Sequence, residues 1–252
     1  MIPAGREREG APVTTAPRRL LLLSNSKNFG GGYLDHAGDV IRAFLGRNVQ
    51  HVLFVPYAAV RVSYDAFAAS VGIKLREWGY GLECAHLQGD PAAAVARAEA
   101  VMVGGGNTFH LLKLLHDTGL IAAIRTRAAE GIPYVGWSAG ANVAGLSIRT
   151  TNDMPIVQPR SFEALSLVPF QINPHYTDAV IPEHAGETRA ERLLEFVAAN
   201  PGVPVVGLRE GSILRLEGGK LELLGPKPAR LFVSGRDPAE YQPGPSLQFL
   251  ME

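Results

Sequence analysis

Through the first half of the chain, short apolar runs alternate with longer stretches whose apolar residues recur at helical spacing. The runs fall at residues 20–23, 51–56, 82–87, 100–103 and 134–136, and the helix-period stretches at 34–45, 64–78 and 108–130. The last stretch is predicted as two helices broken near Gly119. Short strands alternating with helical stretches predict an α/β fold, a mostly parallel sheet flanked by helices on both faces. After the fifth run the order changes. Residues 170–173 read as a strand, 187–199 as a helix, and 203–208 as a strand ending at Arg209-Glu210. Residues 212–216 and 220–224 flank Gly218-Gly219, a pair suited to the positive φ of a tight turn, so a C-terminal β-hairpin is expected there. Residues 230–233 read as an edge strand.

Composition narrows the classes of function. The 252 residues are 46% hydrophobic and 19% charged, a globular balance that suits one α/β domain over residues 19–252. Lys plus Arg and Asp plus Glu both total 24, so no global field draws the chain to nucleic acid or to an anionic membrane. A small, local substrate fits better, and a homodimer stays open. The single cysteine, Cys84, excludes an intramolecular disulfide and a CxxC zinc site and fits a reducing compartment, so a cytoplasmic location is expected. Residues 1–18 carry charges and prolines with no apolar core of a signal peptide, and are read as a disordered extension. The run at 20–23 is far short of the roughly 20 residues that cross a bilayer.

Chemistry concentrates at two glycine clusters. Gly136-Trp137-Ser138-Ala139-Gly140 follows an apolar run and precedes a helix-compatible segment. Strand, G-x-S-x-G and helix together make a nucleophile elbow, in which a strained turn lifts a serine Oγ into the open. The helix that follows aims its N-terminus at the site, and the Ala139 N–H is placed to stabilise a developing oxyanion. Gly104-Gly105-Gly106-Asn107-Thr108 also sits between a strand and a helix. It can bind an anion, supply the other half of an oxyanion hole, or simply turn the chain under a cap from Asn107 or Thr108. It lacks the lysine of a phosphate-binding loop and the spacing of a dinucleotide fingerprint.

A serine nucleophile needs a base, and the base needs an orienting acid. Of seven histidines, His175 in Gln171-Ile172-Asn173-Pro174-His175-Tyr176 sits just past an expected strand, where parallel sheets gather their functional loops. Two carboxylates compete for the third place. Glu210 follows the strand at 203–208, and Asp153 lies in Thr150-Thr151-Asn152-Asp153-Met154-Pro155; either also suits a turn, and spacing does not choose between them.

Five segments in this order resemble the peptidase E family over about residues 19–235. They are Gly104 to Phe109, Gly136 to Asn142, Arg149 to Val157, Gln171 to His175 and Gly186 to Arg189. The resemblance implies a class I glutamine amidotransferase-like fold with serine where those enzymes have cysteine. It implies Ser138 as nucleophile, His175 as general base, and the N–H groups of Gly106 and Ala139 as oxyanion hole. Glu210 is preferred to Asp153 as the acid because it ends a strand. The family cleaves dipeptides that begin with aspartate. Arg189 matches its carboxylate-binding arginine and is taken with Asn107 as substrate-binding, and no cofactor or metal is implied. The same arginine also reads as a solvated residue near a helix N-terminus, where the dipole slightly disfavours a cation. Two departures are the extension at residues 1–18 and the loop Ser26-Lys27-Asn28-Phe29-Gly30-Gly31-Gly32, and they bear on substrate preference.

The expected activity is therefore serine dipeptidase action on Asp-Xaa through an acyl-enzyme. Rivals are a cyanophycinase-type exopeptidase or a broader N-terminal preference, an α/β-hydrolase esterase, and a non-catalytic binding module. The esterase is disfavoured by chain order, because α/β-hydrolases run serine, acid, histidine rather than Ser138, His175, Glu210.

Overall fold

The five apolar runs of the first half become five parallel strands: β1 Leu20–Leu23, β2 His51–Val55, β3 Gly81–Cys84, β4 Val101–Val103 and β5 Tyr134–Trp137. In the computed structural model, which describes residues 18–180, 182–183 and 185–252, they are followed by six more strands. These are β6 Gln171–Tyr176, β7 Val205–Arg209, β8 Ile213–Glu217, β9 Lys220–Leu224, β10 Ala229–Phe232 and β11 Ala239–Tyr241. A seven-stranded sheet runs β3-β2-β4-β5-β1-β8-β9, its last two strands an antiparallel hairpin laid against β1. The other four strands form a second sheet, β11-β10-β7-β6, in which only β6 and β7 are parallel.

Among the described residues, seven α-helices connect and cover these sheets: α1 Gly38–Leu45, α2 Tyr64–Glu77, α3 Pro91–Arg97, α4 Thr108–Asp117, α5 Leu120–Ala129, α6 Ala139–Asn142 and α7 Arg189–Ala199. The unbroken leucine run of β1 is explained by burial on both faces. Leu20 and Leu22 share a buried cluster with Leu111 and Leu115 of α4 and Ile124 of α5, whereas Leu21 and Leu23 belong to a second one with Ile41 and Phe44 of α1 and Val71 and Leu75 of α2. Truncating any of the four to alanine should cost about 2–5 kcal/mol, since each is at most 1% exposed. Ile172, Val206, Leu208 and Leu231 of the second sheet join the core of Leu20 and Leu22, while Tyr176, Val205 and Phe232 pack on Leu193 and Val197 of α7.

Local chemistry sets several boundaries. Gly119 at φ 73° breaks α4 from α5 where expected, and Gly218 and Gly219 at φ 58° and 78° make the turn between β8 and β9. Thr188 closes a capping box with Glu191, so α7 starts at Arg189 rather than 187.

Other expectations are corrected. The strand expected through 87 stops at Cys84, and Ala85–Leu87 is a 3-10 turn. The strand at 230–233 is not an edge: Ala229–Phe232 lies between β7 and β11, and β11 is the edge. Helix α3 was not anticipated, although Asp90 caps it and Pro91 opens it. The extension at 1–18 lies outside the described residues except for Arg18, which donates to the Leu167 carbonyl at 2.8 Å.

Candidate active site

At the carboxyl end of β5 the backbone turns so tightly that only glycine fits two residues to either side of the serine. A Cβ on Gly136 would stand 2.3 Å from the Gly140 carbonyl oxygen, and one on Gly140 would stand 2.2 Å from that of Val103. Ser138 between them is held at φ 52°, a conformation L-residues rarely adopt. The elbow read from the sequence is thus present. Its helix is shorter than expected, four residues only, so the helix dipole contributes little and the individual N–H groups matter more.

The second glycine cluster closes on the first. A Cβ on Gly105 would lie 2.9 Å from Ser138 Cβ, and one on Gly106, at φ 139°, would lie 2.2 Å from the Ala58 carbonyl oxygen. Among the described residues, neither the Gly106 N–H nor the Ala139 N–H donates a hydrogen bond. Asn107 has both ends of its amide engaged: Oδ1 caps α4 by accepting from the His110 N–H at 3.0 Å, and Nδ2 donates to the Met154 carbonyl at 2.9 Å.

His175 reaches the serine from the other sheet. Its Nε2 lies 2.9 Å from Ser138 Oγ, and its Nδ1 lies 2.8 Å from Glu210 Oε1. A carboxylate only accepts, so Nδ1 carries the proton in the resting pair and Nε2 is left to accept from the serine hydroxyl. The expected position just past a strand is corrected. His175 sits within β6 at a bulge between Pro174 and Tyr176, and its φ of 54° turns the imidazole out of the strand. The side chains of His175 and Glu210 are 38% and 48% exposed, so this pair adds at most about 1 kcal/mol to folding and serves to orient.

Asp153 is elsewhere. It accepts from the Thr108 N–H at 2.8 Å, the Thr108 hydroxyl at 2.5 Å and the Thr151 hydroxyl at 3.1 Å, fastening the loop after Thr150 to the start of α4. Geometry therefore separates the two carboxylates that spacing left tied.

Arg189 opens α7, and its guanidinium donates to the His175 carbonyl at 3.3 Å. Burial, with the Arg192 charge second, holds its pKa below the usual arginine range. Among the described residues no carboxylate lies within ion-pair distance of it. It lines a cleft of about 310 Å³ together with Thr177, Val180, Thr188 and Arg192. Two residues that sequence reasoning passed over, Ser24 and Asn25, lie beneath the site at 0% and 1% exposure. Their signal was a polar pair directly after the leucine run, at the carboxyl end of β1. His184 lies outside the described residues. Among those described, no helix is long and apolar enough to cross a membrane, and no group of three or more His, Cys, Asp or Glu is placed to hold a metal ion.

An elbow serine bonded to a histidine that is bonded in turn to a glutamate is the arrangement of a serine hydrolase on an α/β sheet. Comparison with known proteins narrows this. The family described as Peptidase family S51 matches residues 20–224. Peptidase E of Nostoc sp. is 49% identical over 235 residues, 93% of this chain and 97% of that protein. Peptidase E of Shewanella baltica is 49% identical over 232 residues, covering 92% and 98%. Two solved structures share the fold: a Listeria monocytogenes protein with a TM-score of 0.63 at 22% identity, covering 84% of this chain and 100% of that one, and a peptidase from an acI-B1 Actinobacterium with 0.63 at 17%, covering 89% and 97%. The chain is a serine peptidase and belongs to peptidase family S51.

Proposed function

We propose that the protein is a dipeptidase that releases an N-terminal aspartate from Asp-Xaa through an acyl-enzyme on Ser138. The observation that carries the reading is the unbroken chain from Ser138 Oγ through His175 to Glu210. As Oγ attacks the scissile carbonyl, His175 Nε2 takes its proton, and Glu210 stabilises the imidazolium that forms. The free N–H groups of Gly106 and Ala139 receive the oxyanion. Collapse of that intermediate passes the proton from His175 to the departing amine, and water then enters and reverses the same steps to release aspartate.

Arg189 supports the choice of aspartate. A half-buried guanidinium without a carboxylate partner is relieved by an incoming one, which it grips through two parallel hydrogen bonds. Arg189 and His175 are joined through the His175 carbonyl, so a side-chain carboxylate held at Arg189 is tied to the reacting centre. A small peptide in the cytoplasm, the compartment that a single cysteine suits, is the proposed substrate.

The test is hydrolysis of matched substrates beginning with α-Asp, β-Asp, Asn, Glu and Leu. Wild type should prefer α-Asp. Ser138→Ala should lower kcat by about three or more orders of magnitude in a folded protein. Arg189→Ala should erase the preference for Asp over Asn while sparing slow turnover of neutral substrates. A wild-type preference for β-Asp or Leu would sink the aspartate reading and leave the serine mechanism standing.

A further inference from the structure

Three consecutive residues at the carboxyl end of β1 hydrogen-bond to Ser138, to His175 and to the residue after Glu210. The Leu23 carbonyl accepts from the Ser138 N–H at 3.1 Å. Ser24 Oγ accepts from the His175 N–H at 2.9 Å and donates to the Leu208 carbonyl at 2.7 Å, while the Ser24 N–H donates to the Ser212 carbonyl at 3.1 Å. Asn25 Oδ1 accepts from the N–H of Gly211, next to Glu210, at 2.8 Å. Its Nδ2 donates to the Lys27 carbonyl at 2.9 Å and to Asn28 Oδ1 at 2.8 Å, which fixes the amide's orientation.

The bulge explains why a side chain is needed here. Pro174 pairs with Leu208 and Tyr176 with Arg209, but His175 has no partner across the β6–β7 ladder. Turning the imidazole towards Ser138 therefore strips the His175 N–H of its strand-to-strand hydrogen bond. The Ser24 hydroxyl enters that gap with one donor and one acceptor, bonding both strands at once. It comes from the other sheet, so the bond that repairs the bulge also sets the distance between the serine-bearing and the histidine-bearing strands.

We propose that Ser24 and Asn25 are positioning residues for the relay, a polar clamp that holds His175 and Glu210 in register with Ser138. The proposal rests on the reading of Ser138 as nucleophile and His175 as base given above. The clamp touches no substrate and takes no proton. It acts by keeping Nε2 within reach of Oγ, where a displacement of about 1 Å costs on the order of 100-fold in rate.

The experiment compares wild type, Ser24→Ala, Ser24→Thr, Asn25→Ala and Ser138→Ala in hydrolysis of an α-Asp substrate across pH, with thermal melts to establish folding. Ser24→Ala should lower kcat about 100-fold with KM within about twofold, because the binding groups stay in place. Ser24→Thr keeps the hydroxyl and should recover most of that loss. Asn25→Ala loosens Glu210, so the acid limb of the kcat/KM profile should move to lower pH as the imidazolium loses its counter-charge. Folded Ser24→Ala and Asn25→Ala proteins with wild-type kcat and pH profile, beside an inactive Ser138→Ala, would overturn the clamp alone. An active Ser138→Ala would overturn the underlying reading, and the clamp with it. Should Ser24→Ala not fold, Asn25→Ala read in the same way decides the matter.

Discussion

The two sheets bring their parts of the site together by different physical means. On the seven-stranded sheet the serine is fixed by exclusion: backbone stands against backbone at Gly136 and Gly140, and Gly105 lies against Ser138 itself, with no room for even a methyl group. On the four-stranded sheet the histidine and glutamate are half-exposed, and hydrogen bonds hold them at a bulge and a strand end. Close packing is short-ranged and unforgiving, whereas a hydrogen-bonded placement gives way by degrees. The serine's side should therefore fail abruptly when volume is added, and the histidine's side gradually as polar partners are removed.

Adding one methyl group at the elbow is the most severe test of that contrast. Gly140→Ala would push a Cβ to 2.2 Å from the Val103 carbonyl oxygen, and should cost about 1–3 kcal/mol or more as well as nearly all activity. The midpoint of urea unfolding and kcat should fall together; a variant of wild-type stability would remove exclusion as the explanation.

The histidine's side should show the opposite pattern. Glu210→Gln should lower kcat about 100-fold or more while leaving the urea midpoint nearly unchanged, since the exposed pair adds little to folding. Asp153→Asn is the control. It weakens the fastening of the loop to α4, and should lose about 1–2 kcal/mol of stability with kcat within a few-fold of wild type. If the effects of these two carboxylate variants were exchanged, the assignment of the acid would be wrong.

The smallest effect is a dependence of stability on pH. Burial holds His36 below the usual imidazole range, against the nearby charges of Asp35 and Glu210, and among the described residues neither ring nitrogen has a hydrogen-bond partner. The folded state thus prefers His36 neutral. That preference contributes fully above the unfolded value of about 6.5 and is lost as pH falls through the lower folded value. Between pH 7 and pH 5, the melting temperature of His36→Gln should drop less than that of wild type; equal drops would show that His36 does not carry this dependence.

How much of this was legible in the sequence follows the same division. The elbow, the glycine loop and the five parallel strands were readable because packing imposes residue types: leucine where both faces are covered, glycine where backbones meet. The choice of Glu210 over Asp153 was not readable from the residues themselves. Both carboxylates lie in loops that suit turns, and only the three-dimensional path brings one to His175 and the other to Thr108. The bulge at His175 was hidden because nothing in Asn173-Pro174-His175-Tyr176 announces a positive φ. The separation into two sheets was hidden as well, since a strand's apolar residues do not say which sheet it will join. Ser24 and Asn25 went unread because a serine and an asparagine after a strand look like ordinary loop residues until their burial is known.

The bridging of the site across two sheets also bears on how the enzyme fails. Amide exchange and heat open a protein in cooperative parts, and a small sheet capped by the single helix α7 is a smaller such part than a seven-stranded sheet covered on both faces. Should β6 and β7 open first, Ser138 would stay on its elbow without His175, and activity would be lost before global unfolding.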